Sequence, residues 1–399
     1  MLPLEGIKVI DLTLAEFGPR ASMLLADMGA DVIKVEPRQG EPLRGVTRNY
    51  DRGGISSYFL SHNRNKRGIA LDITKQKGKD ILYKLIEISD VFITTYRPKA
   101  MQRHGFSYEE VRQRNPKIIY GCGNGFGLKG PLCEKGAFDI MMQGYSGLTY
   151  QTGLDGSPAT PAGTAVIDQC SGAMLAFGIM VALYVRERTG IGQMVDGSLL
   201  GTALYFLSIE IVSHLFSGKH LPKSGRGLSY VKALAYNFPT SDGWIVLGGL
   251  PNEAWPEFCR VMEIIEITND PRFADVSERE DHRAELIPIL EEQFRTRPSR
   301  EWIEKLDKVG VFIGPVNSLS EVLSDPEAIE QMRTNGYLCD IELPQGKEVT
   351  VVGPPVKLSE TPPEVRRGYF SIGEHNYEVL TELGYSPEEI AELIVEEVI

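Results

Sequence analysis

Gly6-Ile7-Lys8-Val9-Ile10-Asp11-Leu12, Gly18-Pro19 and Asp31-Val32-Ile33-Lys34-Val35-Glu36 are the stretches whose reading decides the fold. The first is short, β-branched and apolar, and reads as a buried strand. Gly18-Pro19 opens a helix, since proline is tolerated where the first N–H has no partner. Met23, Leu24, Leu25 and Met28 give that helix an apolar face, and Gly29 ends it. The third stretch is a second strand, with Glu36 at the end where a ribose is often held. Between strand and helix, however, Thr13-Leu14-Ala15-Glu16-Phe17-Gly18-Pro19 contains no G-x-G-x-x-G. A βαβ unit is predicted, and NAD binding through it is not.

The chain has 399 residues, more than one core usually supports, so two domains are expected. Hydrophobic content of 42% and charged content of 24% are those of a globular protein. No apolar run is read as approaching the ~20 residues that span a bilayer, so no membrane partner is expected. The N-terminus goes directly into a strand without a signal peptide, which predicts a cytoplasmic location. A net charge of −12 argues against nucleic acid as a partner, and an anionic ligand would need a local basic site. The five cysteines (Cys122, Cys133, Cys170, Cys259, Cys339) include no C-x-x-C pair, and the six histidines form no H-E-x-x-H. Reduced thiols and no metal site are expected.

Up to about residue 200, strands and helices alternate. Thr74 to Ile88 has helical periodicity, Val91-Phe92-Ile93-Thr94 and Ile118-Ile119-Tyr120 read as strands, and Ser107-Tyr108-Glu109-Glu110 is a capping box. This predicts an α/β layer structure with a largely parallel sheet. Ser171 to Val185 is apolar on nearly all sides, as in a helix buried in its domain or at a subunit interface. Ser217 to Gly227 reads as a linker. Beyond it, Asp242-Gly243 predicts a hairpin turn between Tyr236–Phe238 and Trp244–Leu247. Amphipathic helices over Glu253–Met262, Glu278–Arg295 and Arg300–Val309 follow. The expected division is 1–216, a smaller α+β domain at 225–330, and a segment 331–399 ending in an acidic, surface-lying helix from Pro387 to Glu397.

Asp168 stands between an apolar run and the buried helix. Local sequence favours a helix N-cap, which aspartate fills well. The functional alternative is a carboxylate nucleophile kept ionised by the helix dipole. Asp139, before another apolar helix, and Glu16, at the mouth of the first βα turn, are further candidate acids, each equally readable as a cap or a solvated surface group. Basic residues follow successive strands: Arg38 and Arg44, then Asn63-Arg64-Asn65-Lys66-Arg67, then Arg97, Lys99 and Arg103. A solvated face is the usual reading of such a run, but convergence on one sheet edge would give a phosphate site. Gly121 to Gly127 is glycine-rich without matching a P-loop, and suggests a tight turn with close backbone approach. Gly248-Gly249 reads either as a mobile flap or as an ordinary strand-ending turn.

In combination these segments resemble the class III CoA-transferase family (CaiB/BaiF), over nearly the whole chain. The match runs through Gly6–Asp11, Gly18-Pro19 and Leu25–Glu36, then Asn65-Lys66-Arg67, Ala70-Leu71-Asp72, Asp90-Val91, Arg97-Pro98 and Gly105. It continues through Gly125-Phe126-Gly127, Gly130-Pro131, Thr189–Gln193 and Gly373-Glu374-His375-Asn376. The resemblance implies a Rossmann-like large domain built from both chain ends, a small domain, and a homodimer whose subunits interlock. It implies coenzyme A as acyl-CoA substrate, with Arg38, Arg103 and Lys135 nearest the family's CoA contacts, Arg97 beside them, and neither metal nor NAD. Asp168 falls on the family's catalytic aspartate, which displaces the capping reading, and Gly248-Gly249 would border an oxyanion. The implied reaction moves CoA from an acyl-CoA to a carboxylic acid through an aspartyl anhydride and an aspartyl-CoA thioester. The alternatives are an acyl-CoA racemase or isomerase of the same family, and a non-catalytic CoA- or nucleotide-binding protein. Family racemases resemble Gly-His-Asp where this chain has Ala137-Phe138-Asp139, and Phe138 accepts no proton. Glu16 stands where some transferases have glutamine.

Overall fold

Strand and helix periodicities in the first 206 residues translate directly into elements. They are β1 (Lys8–Leu12), α1 (Phe17–Asp27), β2 (Asp31–Glu36), α2 (Ser57–Asn63), β3 (Lys66–Ala70), α3 (Gln76–Glu87) and β4 (Val91–Thr94). Next come α4 (Pro98–His104), α5 (Tyr108–Arg114), β5 (Ile119–Asn124), α6 (Asp139–Ser146), α7 (Leu148–Gln151), α8 (Val166–Thr189), β6 (Met194–Ser198) and α9 (Leu199–Phe206). The computed structural model describes residues 1–45, 55–219, 221–228, 234–343 and 346–399.

β1 to β6 form one sheet in the order β3-β2-β1-β4-β5-β6, with every pairing parallel. The chain builds outward from β1 to β3, then crosses back to β4, so the order reverses between β1 and β4. Ligands of open α/β sheets collect outside the carboxyl ends of the strands at such a point. Ile10, Ile33, Phe92 and Tyr120 from the sheet pack with Ile81, Leu85 and Val111 of the covering helices. The Ser107–Glu110 capping box starts α5 as the sequence predicts.

β5 runs on to Asn124, so Gly121 and Gly123 lie in a strand rather than in the predicted turn. The close approach is nonetheless there. A Cβ at Gly121 would come 2.9 Å from Ile179 of α8, and one at Gly123 would come 3.0 Å from Phe17. α8 packs on α1, β5 and β6. A Cβ on Gly172 would stand 2.6 Å from the Arg20 side chain, which shows how closely α8 crosses α1. Contrary to the sequence reading, α8 has the length and hydropathy of a membrane-crossing helix; half of that apolar window is buried in the protein.

The remaining elements are α10 (Ser208–Ser217), β7 (Tyr236–Pro239), β8 (Trp244–Gly249), α11 (Trp255–Val261), α12 (Val276–Asp281), α13 (Arg283–Phe294), α14 (Ser299–Asp307), β9 (Phe312–Pro315) and α15 (Leu319–Val322). α16 (Pro326–Thr334), the hairpin β10 (Leu338–Leu343) and β11 (Lys347–Val352), α17 (Asn376–Glu382) and α18 (Pro387–Val395) complete the chain. Two units result. One comprises Met1–Ser146, Gly163–Phe206 and Gln331–Ile399; the other comprises Gly147–Ala162 and Leu207–Glu330. The division departs from the expected boundaries at 147–162 and 207–216. Gly147–Ala162 is tied into the second unit by backbone bonds from Ser224 to Gln151 and from Gly225 to Gly153. That unit carries the antiparallel sheet β7-β8-β9, with the predicted turn at Asp242-Gly243 and a core including Trp255, Phe258, Phe294 and Trp302.

In the first unit the late segment closes the β3 edge. Asn376 Oδ1 accepts from the Ala70 N–H at 2.8 Å. Phe370 lies so close over Gly68 that a Cβ there would come 2.0 Å from its ring. α18 is not simply surface-lying: Ile390, Leu393 and the following Val398 are buried in the sheet's core.

Candidate active site

Asp168 is the third residue of α8 and is buried. The capping expected of it is done by another residue. Asp139 Oδ1, from the start of α6, accepts from the backbone N–H of Ile167 at 2.7 Å and of Asp168 at 3.0 Å. Gln143 Nε2 donates to the other Asp139 oxygen and to Thr164 O, so the capping carboxylate is held in turn. The orphan donors of the helix end are met from outside the segment, which leaves the Asp168 carboxylate available. Burial first, then the charges of Glu16 and Asp139, push its pKa up to about 7. That is opposite to the helix-dipole expectation, because desolvation and two like charges outweigh the dipole.

Asp168 opens into a cleft of about 260 Å³ lined also by Ala15, Tyr96, Arg97, Lys135, Gly136 and Phe138. The cleft sits on the loops after β1, β4 and β5, beside the reversal of strand order. Arg97, from the N-terminus of α4, passes over Gly136, where a Cβ would come 2.5 Å from a guanidinium nitrogen. Lys135 Nζ lies 5.5 Å from the Phe126 ring centre. Phe138 is exposed at the cleft wall. A second cleft, about 340 Å³, follows β1, β2 and β3 and is lined by Glu36, Arg38, Asp72, Thr74 and His104. Tyr96 borders both clefts. Arg38 is half-exposed and within 3.5 Å of Glu397, while Arg103 is exposed on α4 beside His104.

Glu16 occupies the N-cap position of α1, yet its carboxylate does not cap that helix. Ala15, in the left-handed region at φ 66°, turns the chain there. Oε1 instead accepts from the Tyr58 hydroxyl at 2.9 Å, and Oε2 accepts from Gln169 Nε2 at 2.6 Å.

The basic run 63–67 is not a phosphate site. Arg64 pairs with Asp27 at 2.6 Å, Lys66 is buried against Asp11 at 2.9 Å, and Arg67 is shared by Asp31, Glu378 and Glu382. The run lies on and before β3, at the sheet's amino edge, so its charges serve the fold. Arg44 is likewise committed to Glu36 at 2.6 Å, which removes the ribose reading of that acid. Gly248 and Gly249 end β8 in the second unit, with a register shift between Leu247 and Gly249 and a φ of 147° at Gly249 that favours glycine. Among the described residues, no group of three or more His, Cys, Asp or Glu is placed to hold a metal ion.

A family model described as CoA-transferase family III matches residues 4–376. The chain belongs to CoA-transferase family III. Family III relatives include the human succinyl-CoA:glutarate CoA-transferase, 33% identical over 98% of this chain and 89% of that protein. The formyl-CoA:oxalate CoA-transferase of Streptomyces coelicolor is 32% identical over 97% of both chains. A solved CaiB/BaiF family protein from Brucella suis superposes with a TM-score of 0.85 at 30% identity, covering 96% of this chain and 99% of that one. The chain is a CoA-transferase of this family on an α/β frame with a parallel sheet.

Sequence reading of this family III chain missed Tyr58, His62 and Gln169. Gln169 adjoins Asp168 and could have been noticed; Tyr58 and His62 sit on a short helix whose place beside α1 and α8 no local pattern reveals.

Proposed function

We propose that this enzyme moves coenzyme A from an acyl-CoA to a free carboxylic acid with Asp168 as the carrier. Asp168 attacks the thioester carbonyl, forming a C–O bond while the C–S electron pair leaves on the CoA thiolate. The thiolate then attacks the aspartyl carbonyl of the anhydride, releasing the first acid and leaving an aspartyl-CoA thioester. An acceptor carboxylate displaces CoA again, and the thiolate returns to the new acyl carbonyl, restoring Asp168. Anhydride and thioester are both activated, so no step falls into a deep well. No proton is consumed.

The observation that carries this reading is the free Asp168 carboxylate on a cleft also lined by Arg97 and Lys135. Cations there suit an anionic acceptor, and Arg38 and Arg103 along the same sheet edge suit CoA phosphates. The relatives' printed activities pair a short acyl-CoA with a small acid in CoA transfer, and we place the substrates in that class. A racemase would need a second base where the cleft wall has Phe138. We also infer a homodimer: Met174, Phe177, Val181 and Tyr184 leave an exposed apolar stripe along α8, which a second copy would cover.

The test is to incubate the protein with an acyl-CoA panel, trap with hydroxylamine or borohydride, and locate the modification by mass spectrometry. The adduct is expected on Asp168, and Asp168→Ala should abolish transfer while CoA still binds. Deuterium exchange at the acyl α-carbon without any Asp168 adduct would favour the racemase reading instead.

A further inference from the structure

Glu16 is held more firmly than a surface acid at a helix start needs to be. Tyr58 donates to one oxygen and Gln169 to the other, and His62 Nε2 lies 3.7 Å from the second. The Gln169 amide also lies 2.9 Å from His62 Nε2. With one N–H of that amide on Glu16 and the other on His62, His62 Nε2 must present its lone pair. Its proton is then on Nδ1, which faces Tyr58 O at 3.0 Å and the Ser61 hydroxyl at 2.8 Å. Reversing the amide would set its oxygen against the carboxylate, so the network has one consistent orientation. Two donors, one on each oxygen, fix the orientation of that carboxylate. The chemistry proposed for Asp168 requires no proton transfer, so Glu16 has no work as a general base.

We propose that Glu16 is a charge-setting positioning residue for Asp168, fixed by Tyr58, Gln169 and His62, whose repulsion of the free carboxylate is released whenever Asp168 is acylated. This rests on Asp168 being the carrier. On acylation the carboxylate's charge leaves with the thiolate, so the like-charge repulsion from Glu16 disappears while Glu16 itself stays in place. A destabilised free carboxylate is also the more basic and more nucleophilic one. His62 holds Gln169 only while neutral. Burial, with the charges of Arg20, Lys66 and Lys34, lowers its pKa to about 4, and it stays neutral in the working range. The charged and titratable groups around the pair are Arg20 on α1, Tyr58 and His62 on α2, Asp139 on α6 and Cys170 on α8, with Arg97 and Lys135 across the cleft.

The experiment measures kcat/KM for an acyl-CoA donor against pH in the wild type, Glu16→Gln and Gln169→Met, with adduct trapping on each. The wild-type profile should rise with pH to a plateau through an inflection near 7. In Glu16→Gln the inflection should move about one pH unit toward acid, burial and Asp139 keeping the remainder of the shift, and the plateau should fall about tenfold. Gln169→Met, which unpins Glu16 without removing its charge, should move the inflection the same way by less. An Asp168 adduct in the variants with an unmoved inflection overturns the proposal alone. Failure of the wild type to give that adduct with any donor overturns the carrier assignment and this proposal with it. Should Glu16→Gln not fold, Gln169→Met decides on the same criterion.

Discussion

At Asp168 the proposed chemistry and the stability of the fold make opposite demands. Its pKa is raised in the folded state, so the fold binds a proton there more tightly than the unfolded chain does. The favourable contribution is complete below the ordinary carboxylate value of ~4 and is lost as pH rises through about 7. Above that, an ionised, buried carboxylate beside Glu16 and Asp139 costs stability. Asp168→Asn should therefore stabilise the protein at pH 8 by on the order of 2 kcal/mol and have little effect near pH 4. Paired denaturant titrations at the two pH values check this; equal changes at both would remove the electrostatic account. The residue's place was only half legible in sequence. Aspartate near a helix start is rightly read as a cap, but the cap of α8 comes from Asp139, 29 positions earlier, and only the fold brings the two together.

Among the elements, β3 shows how the same residues change meaning once placed. A run with three basic residues in five looks like an anion site, yet Lys66 is fully buried, donating to Asp11 at 2.9 Å, Pro19 O at 3.0 Å and Asn63 Oδ1 at 2.8 Å. Lys34 also faces Asp11, and Ser22 and Thr13 donate to it, so the aspartate pKa is held far below its usual range although burial alone would raise it. Removing one partner of such a pair leaves a buried charge uncompensated. Lys66→Met should cost about 3 kcal/mol at neutral pH, with Lys34 limiting the loss. Because the Asp11 pKa is lowered by folding, its contribution is present above ~4 and is lost as pH falls further. The gap between wild type and variant should narrow below ~4 in chemical denaturation, and a constant gap would place the cost in packing. Elements with strong periodicity or a local cap, such as β1, α1, β4 and α5, were readable without the fold. The extension of β5 through Gly121 and Gly123 was not, since glycine lacks a side-chain signal and its need arises from Ile179 and Phe17.

On the scale of the whole molecule, Met174, Phe177, Val181 and Tyr184 form an exposed apolar stripe on α8, of the kind that marks an interaction surface. For the proposed homodimer, Phe177→Glu should shift the mass measured by light scattering toward that of a monomer, and an unchanged mass would place any subunit contact elsewhere. The two clefts beside the strand reversal exist only because six strands take the order β3-β2-β1-β4-β5-β6. By itself the sequence determined the α/β alternation, the missing dinucleotide loop and the resemblance that singled out Asp168, since periodicity, caps and motifs are local properties. The tertiary structure decided which acid caps α8, which cations are spent on the core, and that Tyr58, His62 and Gln169 surround Glu16. Those are questions of which distant side chains meet and how much water is left between them, and they are answered only when the chain has folded.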